Sequence, residues 1–208
     1  MRLAVLDVGS NTVHLQIMDS FIGSAPVPFK SCKREIRLAE YLEKDGTISS
    51  LGITTLVRAI AEVFEDAKGV EIDETLAFAT SAIREATNSD EVIAAVETKT
   101  NIHVEVLTGD EEATFTFLAA RRWFGWHLGE LLIIDIGGGS LELAYGEQEV
   151  PVYAQSFMLG ASRLTRQWLE GDPFTEKSLT KLKDYIYETL QPLKNKSFSY
   201  QKNFAIGT

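Results

Sequence analysis

The residues Leu131–Leu143 read LLIIDIGGGSLEL, and the same pattern occurs near the start of the chain, where Leu3–Leu15 read LAVLDVGSNTVHL. In both stretches an apolar run ends in Asp, a turn of Gly and polar residues follows, and apolar residues then alternate with other residues. This pattern predicts a strand, a tight turn and a second strand. Because the device occurs twice, we predict that the chain contains duplicated halves.

The rest of the chain alternates helical and strand-like patterns, which predicts an α/β fold. Further strands are predicted at Thr75–Thr80, His103–Thr108, Val150–Phe157 and Asn203–Ile206. Helices are predicted from Ser49 or Ser50 to about Gly69, from Ser89 onward, from Asp110 to Trp123, from Ala161 to Leu169 and from Thr175 to Lys194. We place the two domains at residues 1–125 and 126–208. The second is expected to be cut short, as a fragment or part of a swapped assembly, because an apolar strand at the chain end lacks obvious partners.

Composition and charge exclude several classes of protein. Hydrophobic residues make up 45% and charged residues 24% of the 208, as in folded globular proteins. No apolar stretch approaches the roughly 20 residues that span a bilayer, and no secretory signal is visible, so we expect no membrane partner and a cytoplasmic location. The single cysteine, Cys32, agrees with a reducing compartment. The formal net charge of −10 argues against duplex nucleic acid as a partner.

The two turns carry groups that suit phosphate. A phosphate needs several donors that converge on its oxygens, and glycine lets the backbone approach closely. The candidate phosphate ligands are therefore the turn residues Gly9, Ser10, Asn11, Thr12, Gly137, Gly138, Gly139 and Ser140. Asp7 and Asp135 would repel phosphate on their own, but Mg²⁺ bridges carboxylates to phosphate oxygens. Mg²⁺ is thus the predicted cofactor, and we expect facing turns to hold a chain of linked phosphates from both sides.

Hydrolysis also requires a group that orients and deprotonates water. Glu111 and Glu112 follow a predicted strand and are candidates, with two exposed acids in a first helical turn as the alternative. Glu142 is a third candidate, because strand alternation places it on the same side as Ser140. A partly desolvated carboxylate near other acids has a raised pKa and is a better base near neutral pH. Arg84 offers a guanidinium fork matched to phosphate oxygens, with a solvated surface residue as the alternative.

Four segments together resemble the exopolyphosphatase and guanosine pentaphosphate phosphatase family, within the actin-like ATPase superfamily. These segments are Asp7–Thr12, Ala79–Ala86, Gly109–Ala113 and Asp135–Leu143. The resemblance implies duplicated actin-like, ribonuclease H-like domains, with mixed sheets flanked by helices, in the short two-domain form. It implies that Glu112 activates water and that Arg84 lies beside the phosphate path. It further implies that Asp135 and Glu142 hold Mg²⁺ or the attacked phosphate. Asp7 is a predicted metal ligand from its place at the first turn alone.

The activity implied is that of an exopolyphosphatase, which removes terminal phosphates processively from inorganic polyphosphate with Mg²⁺. Guanosine pentaphosphate is the main alternative substrate, and an ATP-dependent kinase or a non-catalytic polyphosphate or nucleotide sensor are alternatives of other classes. Leu141 stands where the family usually has threonine, and His14 where an arginine is common, so one phosphate donor is lost at each. The family continues beyond this chain, where Gly207 and Thr208 resemble the opening of another glycine loop. A homodimer is a further expectation.

Overall fold

The computed structural model describes residues 1–23, 27–196 and 204–207, and the chain divides into two compact units, Met1–Thr108 and Gly109–Thr208. Among the described residues, the first unit forms a five-stranded sheet in the order β3-β2-β1-β4-β5. Its strands are β1 (Arg2–Val8), β2 (Thr12–Asp19), β3 (Lys30–Glu35), β4 (Glu74–Ala79) and β5 (Glu105–Val106). The first three strands form an antiparallel meander, and β4 and β5 continue the sheet in parallel with β1.

One face of the first sheet is buried beneath helices. The helices of this unit are α1 (Ser50–Asp66), α2 (Ser81–Arg84) and α3 (Ser89–Thr100), with a 3-10 turn at Leu38–Tyr41. Alternate residues of the strands, such as Leu6 and Leu15, are fully buried in one core with Ile60 of α1 and Val92 of α3. The predicted cap of α1 is Ser49, whose side chain accepts a hydrogen bond from the Gly52 N–H at 3.3 Å.

The second unit repeats this topology in its described residues. Its sheet has the order β8-β7-β6-β9, which matches β3-β2-β1-β4 in both order and strand direction. The elements are α4 (Gly109–Phe124), a 3-10 turn (Trp126–Leu128), β6 (Leu131–Ile136), β7 (Leu141–Gly146), β8 (Tyr153–Phe157), α5 (Ala161–Trp168), α6 (Glu176–Leu190), a 3-10 turn (Gln191–Asn195) and β9 (Phe204–Gly207). The matching order bears out the duplication expected from the two Asp-initiated hairpins.

Helix α4 packs with the second unit, whereas the predicted boundary between the two domains lies after residue 125. Its residues Ala113, Phe117 and Ala120 are buried in one cluster with residues of β6 and β7. Near its end, the fully buried Arg121 donates from Nη2 to the carbonyl oxygens of Gly129 at 2.6 Å and Gly146 at 3.1 Å. The division therefore falls between Thr108 and Gly109.

Strand β3, the short helix α2 and the 3-10 turns were not predicted from the sequence, and the other differences lie at the ends of predicted elements. The regular strand before α4 has two residues instead of six, and β8 begins at Tyr153. Helix α6 ends at Leu190, because Pro192 lies in the first turn of the 3-10 segment that follows and supplies no N–H to continue the α-helix. The predictions for Asn203 and Thr208 lie outside the described residues. In the part of the chain that the structure describes, no helix has the length and apolar character needed to cross a membrane.

Candidate functional site

The two predicted phosphate turns are closed by the same backbone hydrogen bond. The Gly9 N–H donates to the Thr12 carbonyl oxygen at 2.9 Å, and the Gly137 N–H donates to the Ser140 carbonyl oxygen at 3.0 Å. Each bond lies at the tip of an antiparallel hairpin, one between β1 and β2 and the other between β6 and β7. The duplication therefore extends to the atoms of the turns.

The three glycines of the second turn direct their carbonyl oxygens toward the start of α5. The Gly137 oxygen accepts from the Ala161 N–H at 2.9 Å, the Gly138 oxygen from the Arg163 N–H at 3.0 Å, and the Gly139 oxygen from the Gly160 N–H at 3.3 Å. Because the C=O and N–H of a trans peptide point in opposite directions, the N–H groups of Gly138, Gly139 and Ser140 point away from α5. Three successive N–H groups directed to one side form a concavity that suits an anion.

Gly160 allows α5 to come this close to the turn. A Cβ atom at residue 160 would lie 2.2 Å from the Gly139 carbonyl carbon and 2.4 Å from the Ser140 nitrogen. Any side chain at this position would therefore push the helix away from the turn. The side chain of Arg163 adds a further contact, because its Nε donates to the Gly139 carbonyl oxygen at 2.9 Å.

The first turn is held in a similar way by the segment that follows β3. The Leu38 N–H donates to the Ser10 carbonyl oxygen at 2.8 Å, and the Ile36 N–H donates to the Asn11 carbonyl oxygen at 2.8 Å. By the same peptide geometry, the N–H groups of Asn11 and Thr12 point away from that segment. Both turns thus offer backbone donors on the side opposite to their supporting segment.

Two of the predicted sequence segments meet inside the first unit. The Ser10 Oγ lies 2.9 Å from the Ser81 Oγ, and both side chains are buried. Arg84, three residues further on, is half-buried and donates from Nη1 to the Leu107 carbonyl oxygen at 2.9 Å. The Ser10 hydroxyl therefore connects the first turn to α2, and the phosphate-binding roles of Ser10 and Arg84 stay predictions.

Glu142 is the most buried of the predicted catalytic acids, with 2% of its surface exposed. Ser156 Oγ donates to Glu142 Oε1 at 2.7 Å. Burial raises the pKa of the Glu142 carboxyl most strongly, and hydrogen bonds from Ser140 and Ser156 oppose that shift. The negative charges of Glu112 and Asp135 raise the pKa of Glu142 further. The structure therefore groups these three acids beside the second glycine turn.

The start of α4 places the predicted base, Glu112, near Glu142. Gly109 begins the helix, and a Cβ atom there would lie 2.3 Å from the Ser156 Cβ, so only glycine lets the helix start lie this close to β8. Glu112, in the first turn, is half-buried and its charge acts on Glu142. Glu111 is exposed. The geometry thus favours Glu112 as the residue of this pair that works with Glu142.

Two of the three predicted metal ligands, Asp7 and Asp135, lie near the ends of the first strands of the two hairpins, and the third, Glu142, lies on β7. Asp135 is half-buried, lies opposite Glu142 in the β6–β7 register and accepts a hydrogen bond from Thr116 Oγ1 at 3.4 Å. Asp7 is exposed and lies opposite His14 in the β1–β2 register. Among residues 1–23, 27–196 and 204–207, no cluster of three or more acidic, His or Cys side chains is arranged to hold a metal ion.

The donor set is nevertheless of the kind that Mg²⁺ uses. Mg²⁺ is commonly held by one or two carboxylates and completes its octahedral shell with waters and substrate phosphates. Asp135 and Glu142 are cross-strand neighbours, and the pKa of Glu142 is raised partly by the Asp135 charge. A cation would relieve that repulsion. These two residues would hold the ion, and Asp7 stays a predicted ligand.

Sequence reasoning missed several residues that support the site. Ser156 and Thr116 hold two of its acids by hydrogen bonds, and Gly160 and Arg163 support the glycine turn. Gly160 could have been found from its place just before the predicted helix at Ala161, because glycine permits close backbone approach. The roles of the other three follow from strand register and helix packing.

Comparison with known proteins identifies the family. The profile described as the Ppx/GppA phosphatase family matches residues 20–206. The chain belongs to the Ppx/GppA phosphatase family. Among its relatives, this Ppx/GppA chain is 47% identical over 186 residues to Exopolyphosphatase 1 of Mycobacterium leprae, a match that covers 89% of this chain and 55% of the relative. It is 30% identical over 157 residues to the guanosine-5'-triphosphate,3'-diphosphate pyrophosphatase of Aeromonas hydrophila, covering 76% of this chain and 31% of that protein.

Solved structures of the Ppx/GppA family share the fold. The crystal structure of an exopolyphosphatase from Cytophaga hutchinsonii matches with a TM-score of 0.89 and 27% identity, covering 100% of this chain and 66% of that chain. The fold class implied by the sequence segments, duplicated actin-like domains with mixed sheets flanked by helices, is thereby confirmed. The chain spans about half the length of the curated exopolyphosphatase that it matches at 47% identity.

Proposed function

We propose that this Ppx/GppA chain is an exopolyphosphatase, which hydrolyses the terminal phosphoanhydride bond of inorganic polyphosphate with Mg²⁺. The observation that carries the proposal is the buried Glu142, grouped with Glu112 and Asp135 beside the glycine turn. The similarity to Exopolyphosphatase 1 of Mycobacterium leprae supports the substrate class. Processive action on the polyphosphate chain, a cytoplasmic location and a homodimer stay predictions.

In this proposal the terminal phosphate binds on the N–H side of the second turn. The N–H groups of Gly138, Gly139 and Ser140 donate to its oxygens. The carbonyl oxygens of the same three peptides, which belong to Gly137, Gly138 and Gly139, are bonded on the opposite side. Asp135 and Glu142 would hold Mg²⁺, which supplies positive charge to the phosphate oxygens when bound. The backbone donors would thus contact the phosphate directly, whereas the two carboxylates would hold the ion.

Glu112 is the proposed general base. It accepts a proton from water as the water oxygen attacks the terminal phosphorus, and the bond from that phosphorus to the bridging oxygen breaks. The products are orthophosphate and a polyphosphate shorter by one unit. Glu112 suits this role because it is half-buried in the first turn of α4 and its charge acts on Glu142.

Guanosine pentaphosphate is a second candidate substrate. The observation in its favour is the 30% identity to the guanosine-5'-triphosphate,3'-diphosphate pyrophosphatase of Aeromonas hydrophila. Both substrates end in a phosphoanhydride bond, so the same turn and the same acids would serve either. The choice between them depends on groups that bind the rest of the substrate.

The test is orthophosphate release by the full chain from polyphosphate and from guanosine pentaphosphate, side by side, with Mg²⁺ and with chelator. We expect Mg²⁺-dependent release, faster from polyphosphate, and incorporation of one oxygen from labelled water into each released orthophosphate. Faster release from guanosine pentaphosphate would select the second candidate. Tight binding of polyphosphate without release of orthophosphate would contradict the hydrolase and favour a binding protein.

A further inference from the structure

Arg163 contacts two successive peptides of the glycine turn. Its backbone N–H donates to the Gly138 carbonyl oxygen at 3.0 Å, and its side-chain Nε donates to the Gly139 carbonyl oxygen at 2.9 Å. It lies in the first turn of α5 and is half-buried. One residue thus fixes two adjacent carbonyl groups from its main chain and its side chain.

We propose that Arg163 is a positioning residue that keeps the N–H groups of the second turn directed at phosphate. The inference rests on the proposed function, since it assigns the turn to phosphate binding. A run of three glycines has more backbone freedom than any other tripeptide and no side chains to restrict it. Fixing the Gly138 and Gly139 carbonyls removes that freedom and directs the following N–H groups to the other side.

The charge of Arg163 also strengthens a donor in the turn. The guanidinium donates a charge-assisted hydrogen bond to the Gly139 carbonyl oxygen. Hydrogen bonds in a chain polarise one another, so the peptide that joins Gly139 to Ser140 becomes a better donor at its N–H end. Arg163 therefore acts on phosphate through the Ser140 N–H.

The contact of Arg163 Nε lies on the side of the turn opposite to the proposed phosphate. Its Nε bonds the carbonyl side of the turn, and the N–H groups point to the opposite side. A variant of Arg163 should therefore change the turn itself before any ligand is added. This separates a positioning role from direct binding.

The chain offers a matched control in Arg166. It carries the same charge, lies on the same helix one turn later and is exposed. Arg166→Gln removes a positive charge from the same helix without removing the hydrogen bond to Gly139. Any effect of Arg163→Gln beyond that of Arg166→Gln is thus due to contact with the turn and not to net charge.

The experiment compares wild type, Arg163→Gln, Arg163→Lys and Arg166→Gln as full chains. Without ligand, the backbone amide NMR signals of Gly139 and Ser140 are expected to move in Arg163→Gln and to stay in place in Arg166→Gln. Calorimetry with inorganic tripolyphosphate and Mg²⁺, run with Glu112→Gln added to every chain so that the ligand is not hydrolysed, is expected to show about tenfold weaker binding by Arg163→Gln, the loss typical of a charge-assisted hydrogen bond. Arg163→Lys, which can still donate to the carbonyl, should recover part of that affinity.

The two proposals can fail separately. If wild type binds tripolyphosphate and Arg163→Gln binds it as tightly as Arg166→Gln, with unchanged amide signals, the positioning role is wrong and the proposed function stands. If wild type binds no tripolyphosphate, the proposed function fails, and the amide signals alone decide whether Arg163 holds the turn. If Arg163→Gln does not fold, Arg163→Lys takes its place in the test. An affinity equal to that of wild type, with unmoved amide signals, would overturn the role of the guanidinium.

Discussion

At the scale of single residues, Glu142 shows what the site imposes on its side chains. The carboxyl is 2% exposed, and burial raises its pKa against the opposing hydrogen bonds from Ser140 and Ser156. A raised pKa means that the folded protein holds a proton more tightly than the unfolded chain does. The stability due to this group is therefore present at low pH and is lost as the pH rises through the raised pKa.

We predict that Glu142→Gln unfolds at a higher temperature than wild type at pH 8 in the presence of chelator. The amide keeps the size of the side chain and a hydrogen-bonding group for Ser156, but it carries no charge to bury. Each unit by which the folded pKa exceeds the unfolded pKa is worth about 1.4 kcal/mol. Thermal unfolding between pH 4 and pH 8 measures the difference, which should shrink toward the acidic end.

The exposed acid Glu170 provides the control for this experiment. Glu170→Gln should leave the pH dependence of unfolding as it is in wild type. A Glu142→Gln variant whose melting temperature stays below that of wild type by the same amount at every pH would show that the Glu142 charge costs no stability.

Substitutions of the two neighbouring acids at the start of α4 are predicted to differ in their effect on phosphate release. Glu112→Gln should lower orthophosphate release from polyphosphate by about 10²-fold to 10⁴-fold, the usual effect of losing a general base. Glu111→Gln should change it by less than about tenfold, because Glu111 is exposed and Glu112 is the one that acts on Glu142. Steady-state rates of the two variants test this, and the reverse order of effects would move the base to Glu111.

The charged residues of the site were predicted from the sequence, but the residues that donate hydrogen bonds to them were not. Glu142 follows from alternation within a hairpin, which is a local pattern. Ser156 lies on another strand, and only the β7–β8 register places it opposite Glu142. A shift of that register by one residue would turn the Ser156 side chain to the other face, so local patterns did not identify it.

At the scale of elements, the close contact between α4 and β8 sets the position of the predicted base. Gly109 begins α4 against Ser156, where a Cβ atom would approach the Ser156 Cβ to 2.3 Å. We predict that Gly109→Ala lowers the free energy of unfolding by about 1–3 kcal/mol, the usual cost of overpacking. Chemical denaturation of the full chain measures the loss.

A double-mutant cycle identifies the atom responsible for that loss. Ser156→Gly removes the Cβ that the new methyl group would meet, so most of the penalty of Gly109→Ala should disappear in the Ser156→Gly background. If Gly109→Ala costs the same free energy in both backgrounds, the two elements are not in the contact described.

The elements themselves were predicted with uneven success, for physical reasons. The Asp-initiated hairpins have strong local signals, and β1–β2 and β6–β7 occur where the sequence placed them. Strand β5 is only two residues long. So short a parallel strand depends on its neighbour and not on its own residue pattern, and its length could not be predicted.

At the scale of the whole molecule, the chain is a duplication in which one helix joins the following unit. The strand order β3-β2-β1-β4 recurs as β8-β7-β6-β9, and α4 is buried on the second sheet through Phe117. The sequence showed the repeat but placed α4 in the first domain. Which sheet covers an amphipathic helix is decided by tertiary packing, and the periodicity of the helix does not report it.

We predict that a fragment of residues 109–208 unfolds cooperatively and that a fragment of residues 126–208 does not. The shorter fragment lacks α4 and leaves Leu131, Ile133 and Ala144 without their cover. Loss of a buried Phe side chain alone typically costs about 3–5 kcal/mol, a large share of the roughly 5–15 kcal/mol of a stable domain. Circular dichroism during denaturation compares the two, and equal cooperative transitions would place α4 outside this core.

We propose that backbone N–H groups of both turns bind phosphate. An amide NMR titration of the full chain with Mg²⁺ and inorganic tripolyphosphate, in the Glu112→Gln variant so that the ligand is not hydrolysed, measures this binding residue by residue. We expect saturable shifts at Gly138, Gly139 and Ser140 in the second turn and at Asn11 and Thr12 in the first. Saturable binding that leaves the amides of both turns unmoved would contradict it.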